Sequence, residues 1–89
     1  MTQVFGNAEE IERFAHALNA FLDEVQAAQG GIDHAFQALG DSWQDTKRAQ
    51  FEEEYLTLRQ HLIQFDASAR EQVPYLVTLA ARLREYLTA

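Results

Sequence analysis

The sequence predicts an all-α protein: two long amphipathic helices folded into an antiparallel helix-turn-helix hairpin, which dimerises into a four-helix bundle. Three observations predict it. Apolar residues recur at alternating spacings of three and four along two long stretches. The stretches are separated only by a short segment, Leu39-Gly40-Asp41-Ser42-Trp43-Gln44-Asp45, which holds the single Trp. One Pro and four Gly among 89 residues leave little to interrupt a helix. A chain of this length makes one domain, taken here as 1–89.

The first helix is expected over about 8–38. Asn7 is a good N-cap, and Glu10 three residues later completes a variant capping box. Glu9, Glu10 and Glu12 put negative charge at the positive end of the helix dipole. The apolar ladder then runs Ile11, Phe14, Leu18, Phe21, Val25, Ala28, Ile32, Ala35 and Leu39. Gly30-Gly31 lies inside it, and each glycine costs a helix interior up to ~1 kcal/mol relative to Ala. The ladder keeps its phase across the pair, so one continuous helix is expected, with a bend or a close backbone contact at the glycines.

The turn is expected over 39–44. Gly40 suits the left-handed position that ends a helix. Ser42 suits the cap of the next one, with Asp45 at its third position. So short a connection makes antiparallel neighbours.

The second helix is expected over about 45–87. Its ladder reads Phe51, Tyr55, Leu58, Leu62, Phe65, Ala69, Gln72, Leu76, Leu79, Leu83 and Tyr86. Pro74 removes one backbone hydrogen bond and crowds the preceding turn. The phase survives it, which predicts a kink near Pro74, with a break into two helices as the alternative. Gln72 is the one polar rung. It either fixes register or turns to the edge while Val73 takes its place.

Further apolar residues lie off the ladders: Leu22 and Phe36 on the first helix, Leu56, Ile63, Val73, Val77, Ala80 and Leu87 on the second. One hairpin covers one stripe per helix, so a second stripe calls for more neighbours. Leu22, Phe36, Leu56, Ile63, Gln72, Val73, Val77 and Leu87 are therefore the candidate dimer or partner contacts.

Composition excludes several classes. Seven Lys and Arg stand against fourteen Asp and Glu, a formal charge of −7. A phosphate backbone or an anionic membrane surface would be repelled, which argues against nucleic-acid binding. No run is long enough to insert in a membrane. The first residues lack the basic start and apolar centre of a secretory signal. There is no Cys, so disulfides and thiolate metal sites are absent. His16, His34 and His61 lack metal-site spacing. Glu52-Glu53-Glu54 points in three directions on a helix and reads as a solvated face. No catalytic, cofactor or metal site is expected, and the chain reads as a non-enzyme.

Trp43, Gln44 and Asp45 between two amphipathic helices, with Phe51 eight residues after the Trp, resemble the turn of the WXG100 (ESAT-6-like) family. The resemblance spans nearly the whole chain. It is nearest to the Gram-negative, Helicobacter-type branch with a Trp-x-Asp turn, which the stretch Phe65–Gln72 also resembles. It implies a small acidic hairpin, paired with itself or with a paralogous hairpin. Such proteins serve type VII secretion systems as exported factors or as adaptors for larger clients. Trp43, Asp45 and Phe51 would form the turn motif. Asp45 stands where the family's motif has Gly. The family's Tyr-x-x-x-Asp/Glu export signal is missing after Tyr55, Tyr75 and Tyr86. The expectation is therefore cytoplasmic synthesis, followed by export along a non-classical route. The alternative is a cytosolic homodimeric scaffold that stays inside. Trp43 either plugs the bundle end or takes part in recognition, and Asp45 either caps a helix or contacts a partner.

Overall fold

The computed structural model describes residues 7–40 and 42–88, with the side chains of 87 and 88 outside the description. Two helices account for almost all of it: α1, Ala8–Leu39, and α2, Thr46–Thr88. They lie side by side in a rod of 66 × 18 × 17 Å. Cross-helix contacts establish the antiparallel course. Glu12 meets Arg84, Asp23 meets Arg70, and Asp33 meets Arg59. As α1 advances, its partners on α2 recede.

The start of α1 follows from Asn7. Its side-chain oxygen accepts from the backbone N–H groups of Glu9 at 2.8 Å and Glu10 at 3.3 Å. Two donors that the helix cannot satisfy internally are thereby paired. α1 continues through Gly30 and Gly31, and a methyl group added at either would meet nothing within 4 Å. No close contact inside the chain requires these glycines.

The turn differs from expectation in two places. Gly40 is right-handed, at φ −59° and ψ −22°. Its smallness serves close approach instead: an added methyl would lie 3.1 Å from the Gln37 carbonyl oxygen and 3.2 Å from Arg48 Nη2. The cap of α2 is Asp45 and not Ser42. The Asp45 carboxylate accepts from the Arg48 N–H at 3.1 Å, the distance along the chain at which a cap reaches. Ser42 and Trp43 instead donate their backbone N–H groups to the Leu39 carbonyl, at 3.1 and 2.7 Å, closing the end of α1. Gln44 Nε2 also donates back to the Gly40 carbonyl at 2.8 Å.

α2 runs through Pro74 without interruption, so the two-helix alternative is not what forms. Pro74 lacks an N–H and leaves the Arg70 carbonyl without its usual helical donor.

The interior line of the hairpin takes only part of the expected ladders, Ile11, Leu18 and Val25 on α1 and Tyr55, Ala69 and Leu83 on α2. On α1 it runs through Ala8, Ile11, Ala15, Leu18, Leu22, Val25, Gln29, Asp33 and Phe36. On α2 it runs through Arg48, Glu52, Tyr55, Arg59, Asp66, Ala69, Val73, Val77, Ala80 and Leu83. Ala15, Leu22 and Ala80 are 0% exposed. Small alanines here let the two helix backbones approach closely, and Leu22 fills the remaining space.

Candidate interaction face

The two flanks of this interior line differ in chemistry. One flank carries the remaining rungs of the expected ladders, exposed. On α1 it presents Phe14, Phe21, Ala28, Ile32, Ala35 and Leu39, and on α2 Phe51, Leu58, Leu62, Phe65, Gln72, Leu79 and Tyr86. Phe14, Phe21, Ile32, Leu58 and Phe65 are each 47–60% exposed. An open apolar groove of about 370 Å³ lies between the helices here, walled by Ala28, Ile32, Leu58 and Leu62. Towards the open end, Ile11, Leu79, Arg82, Leu83 and Tyr86 line a second depression on the same flank. A contiguous apolar surface running the length of a small protein marks an association surface.

The other flank is stitched by ion pairs. Arg84 Nη2 lies 2.9 Å from Glu12, and Nη1 reaches the second carboxylate oxygen at 3.3 Å. Arg70 Nε is 3.1 Å from both oxygens of Asp66, and Nη2 is 3.1 Å from Asp23. Its Nη1 donates to Asn19 at 3.2 Å. Arg59 Nε donates to Asp33 at 3.0 Å, and the Tyr55 hydroxyl donates to the same carboxylate. Glu52, expected to face solvent with Glu53 and Glu54, is half-buried and lies 3.6 Å from Arg48.

These contacts tune the acids. The Tyr55 hydroxyl and then the Arg59 guanidinium hold the Asp33 carboxyl below its ordinary range, against the opposing pull of desolvation. Hydrogen bonding from Arg84, then its charge, holds Glu12 down likewise. Tyr55 is pushed up because its proton is shared with Asp33. Such pairs fix how the arms register; at partly exposed positions they add little stability.

At the closed end the aromatic residues gather. Phe36 stacks on Tyr55 at 4.7 Å between ring centroids and lies 5.9 Å from Phe51. Trp43 tilts against Phe51 at 6.1 Å. The Arg48 guanidinium sits 5.1 Å from the Phe36 ring centre, a cation–π contact. The turn motif is thus one assembly: Trp43 on Phe51 and Asp45 capping the helix that carries Phe51.

The expected partner contacts separate. Leu22 is enclosed by the chain's own two helices and is no longer available to a partner. Phe36, Val73 and Val77 are half-buried on the interior side. The reason is geometric: of the apolar residues off the ladders, Leu22, Phe36, Val73, Val77 and Ala80 lie on the line that the chain's other helix covers. Gln72 stays exposed on the apolar flank. Leu56 and Ile63 are exposed too, but beside the ion pairs. The Leu87 side chain lies outside the described residues. Of the ladders expected inside the hairpin, Ile11, Leu18, Val25, Tyr55, Ala69 and Leu83 lie there, and the rungs between them, such as Phe14, Phe21, Phe51, Phe65 and Tyr86, are left open. The signal of that open face was present as uninterrupted bulky heptads.

Among the described residues, no three His, Asp or Glu side chains are grouped to hold a metal ion, and no helix is long and apolar enough to cross a membrane.

No family model and no curated relative matches the sequence. Two solved structures do match in shape. Both are of the secreted protein EsxB from Bacillus anthracis str. Sterne, one a glycine-to-alanine variant and one selenomethionine-labelled. The variant superposes with a TM-score of 0.81 at 21% identity, over 94% of this chain and 97% of that one. The labelled protein gives the same score and identity over 97% and 98%. The chain has the helical-hairpin fold of EsxB, end to end.

Proposed function

We propose that this chain is a non-enzymatic protein-interaction factor of the WXG100 (ESAT-6-like) kind, with residues 1–89 acting as a single domain. It pairs through its apolar flank with a second hairpin, its own copy or a paralogue, to make a four-helix bundle. In that form it serves a type VII-like secretion system, as an exported factor or as an adaptor for a larger client. It is made in the cytoplasm and leaves by a non-classical route. It takes no cofactor. The Trp-x-Asp turn of the Gram-negative branch closes one end of each hairpin, through Trp43, Asp45 and Phe51.

One observation carries this reading: a hairpin with the fold of a secreted protein leaves a full-length row of large apolar side chains uncovered. Exposed Phe14, Phe21, Leu58 and Phe65 in water favour burial against a like surface. A second reading is a cytosolic homodimeric scaffold that is never secreted. It is favoured by Tyr55 and Tyr75, which are followed four residues on by Arg59 and Leu79 where the family's export signal has an acid.

The test is to follow the tagged chain in its own cells, with and without the secretion ATPase. Accumulation in culture medium that depends on the ATPase, with no lysis marker, supports the first reading. Strict retention in the cell overturns export and leaves the scaffold.

A further inference from the structure

We propose that the hollow at the closed end of the ion-paired flank is a second binding site, which takes a carboxylate on a short apolar stem, presented by a partner polypeptide to the guanidinium groups of Arg48 and Arg59. The site belongs to a single hairpin, so it goes beyond the pairing reading above and does not depend on it.

The hollow has a volume of about 260 Å³ and opens beside Leu56, away from the row of Phe14, Phe21, Leu58 and Phe65. That is smaller than the pockets that hold cofactors and other small molecules, and it suits one or two residues of a chain. Its apolar walls are Phe36, the Tyr55 ring and Leu56, which is 54% exposed.

Two arginines border the hollow, and both are short of acceptors. Elsewhere on this flank Arg84 and Arg70 close on carboxylates at 2.9 and 3.1 Å. Arg48 does not. Its ion pair with Glu52 spans 3.6 Å, longer than a hydrogen bond. Its Nε is buried with no hydrogen-bond partner among the described residues. The Phe36 ring, 5.1 Å away, holds the guanidinium in place by its charge. Arg59 engages Asp33 through Nε alone, at 3.0 and 3.2 Å, and its two terminal amino groups have no partner among the described residues.

A guanidinium carries five N–H donors in a planar fork that matches a carboxylate. The acids at the hollow do not supply that acceptor. Asp33 already accepts from the Tyr55 hydroxyl and from Arg59, and Glu52 stands off from Arg48. The two guanidinium groups rest against Asp33 and Phe36, three residues apart and roughly 4.5 Å along α1. That spacing lets one carboxylate accept from both. Arg48 and Arg59 against Asp33 and Glu52 leave the hollow neutral, so an incoming carboxylate meets no local excess of negative charge. Acids farther along the rod are screened over about 8 Å at physiological salt.

The test is a titration of the full chain followed by heteronuclear NMR, reading the Nε–Hε signals of the arginines. Three probes are compared. N-acetylphenylalanine offers a chain-end carboxylate beside a ring. An acetylated, amidated glutamyl-phenylalanine offers a side-chain carboxylate beside the same ring. N-acetylphenylalanine amide offers the ring alone. Both acids should shift Arg48 and Arg59 and saturate at about millimolar concentration, with the exposed Arg82 unmoved. The amide should bind at least about tenfold more weakly. The tighter acid tells whether a chain end or an acidic side chain is the natural occupant. Arg48→Gln should weaken both acids by about tenfold. Glu52→Gln removes the internal competitor and should tighten them several-fold, whereas Glu53→Gln, the same change of charge on an exposed neighbour, should not. Circular dichroism checks that each variant keeps its helicity, and the comparison of acid with amide on the natural chain needs no variant. Equal binding of acids and amide, shifts spread equally over Arg13 and Arg82, or equal effects of Glu52→Gln and Glu53→Gln would overturn the site.

Discussion

The two flanks of the hairpin carry the same helical framework and opposite chemistry. On one, Phe14, Phe21, Ile32, Leu58 and Phe65 stand in solvent. On the other, Glu12, Asp23, Asp33 and Asp66 are tied to Arg84, Arg70 and Arg59. The difference divides labour. Ion pairs are directional and fix which residue of one arm meets which of the other, at small net gain in stability. Apolar burial is non-directional and strong in aggregate. The chain uses the directional contacts to set its own register and keeps the strong ones for the proposed partner. Between the flanks, a thin interior of alanines and Leu22, bordered by half-buried residues such as Leu18, Val25, Phe36, Val73 and Val77, holds the arms together.

That comparison breaks most visibly at the interior. Leu22→Ala empties the one large side chain that is fully enclosed among the described residues, and should cost about 2–5 kcal/mol. Urea unfolding followed by far-UV circular dichroism checks it; a loss under 1 kcal/mol would mean that the interior is not the organising contact. Next is a charge on each flank in turn. Phe65→Asp should weaken pairing by on the order of 2–3 kcal/mol, since a carboxylate would be buried unpaired. Arg70→Ala, on the ion-paired flank, should leave the solution mass unchanged. Equal effects of the two would erase the distinction between the flanks.

Gly30→Ala sharpens it from outside both flanks. The added methyl meets nothing within 4 Å, so helix propensity alone acts and stability should rise by up to ~1 kcal/mol. A fall would show that a partner packs against this glycine.

The smallest expected effect is acid dependence. Glu12 and Asp33 are held below their ordinary values of 4.5 and 3.8. A carboxylate depressed in the folded state contributes stability that is present above its ordinary value and lost as pH falls through the folded one. Melting temperature should therefore decline below about pH 4.5, and Glu12→Gln should shallow that decline without changing the mass at pH 7. An identical acid profile in the variant would leave the Glu12–Arg84 pair without a role in stability.

Much of the fold was legible before the structure. Asn7 caps α1, an unslipped phase carries the helix across Gly30-Gly31, and seven residues from Leu39 to Asp45 bring the arms antiparallel. The cap of α2 was not. Ser42 and Asp45 are both capping residues, and only the chain's path decides which meets the Arg48 N–H. The candidate face was legible as a pattern and only partly placed in space. Phe14, Phe21, Ile32 and Leu39 announce themselves by size, whereas the stripe that the hairpin buries beside Ile11, Leu18 and Val25 runs through Ala8, Ala15, Leu22, Gln29 and Phe36 and contains two alanines and a glutamine. Periodicity reports which residues share a face. It does not report which neighbour covers that face.

The sequence by itself therefore determined the helices, their length, the turn between them and the existence of more apolar stripes than one hairpin hides, because these follow from local propensity and spacing. Only the tertiary structure decided which stripe turns inward. That choice depends on how closely two backbones can approach, and alanine at 8, 15 and 80 permits an approach that phenylalanine at 14, 21 and 65 does not.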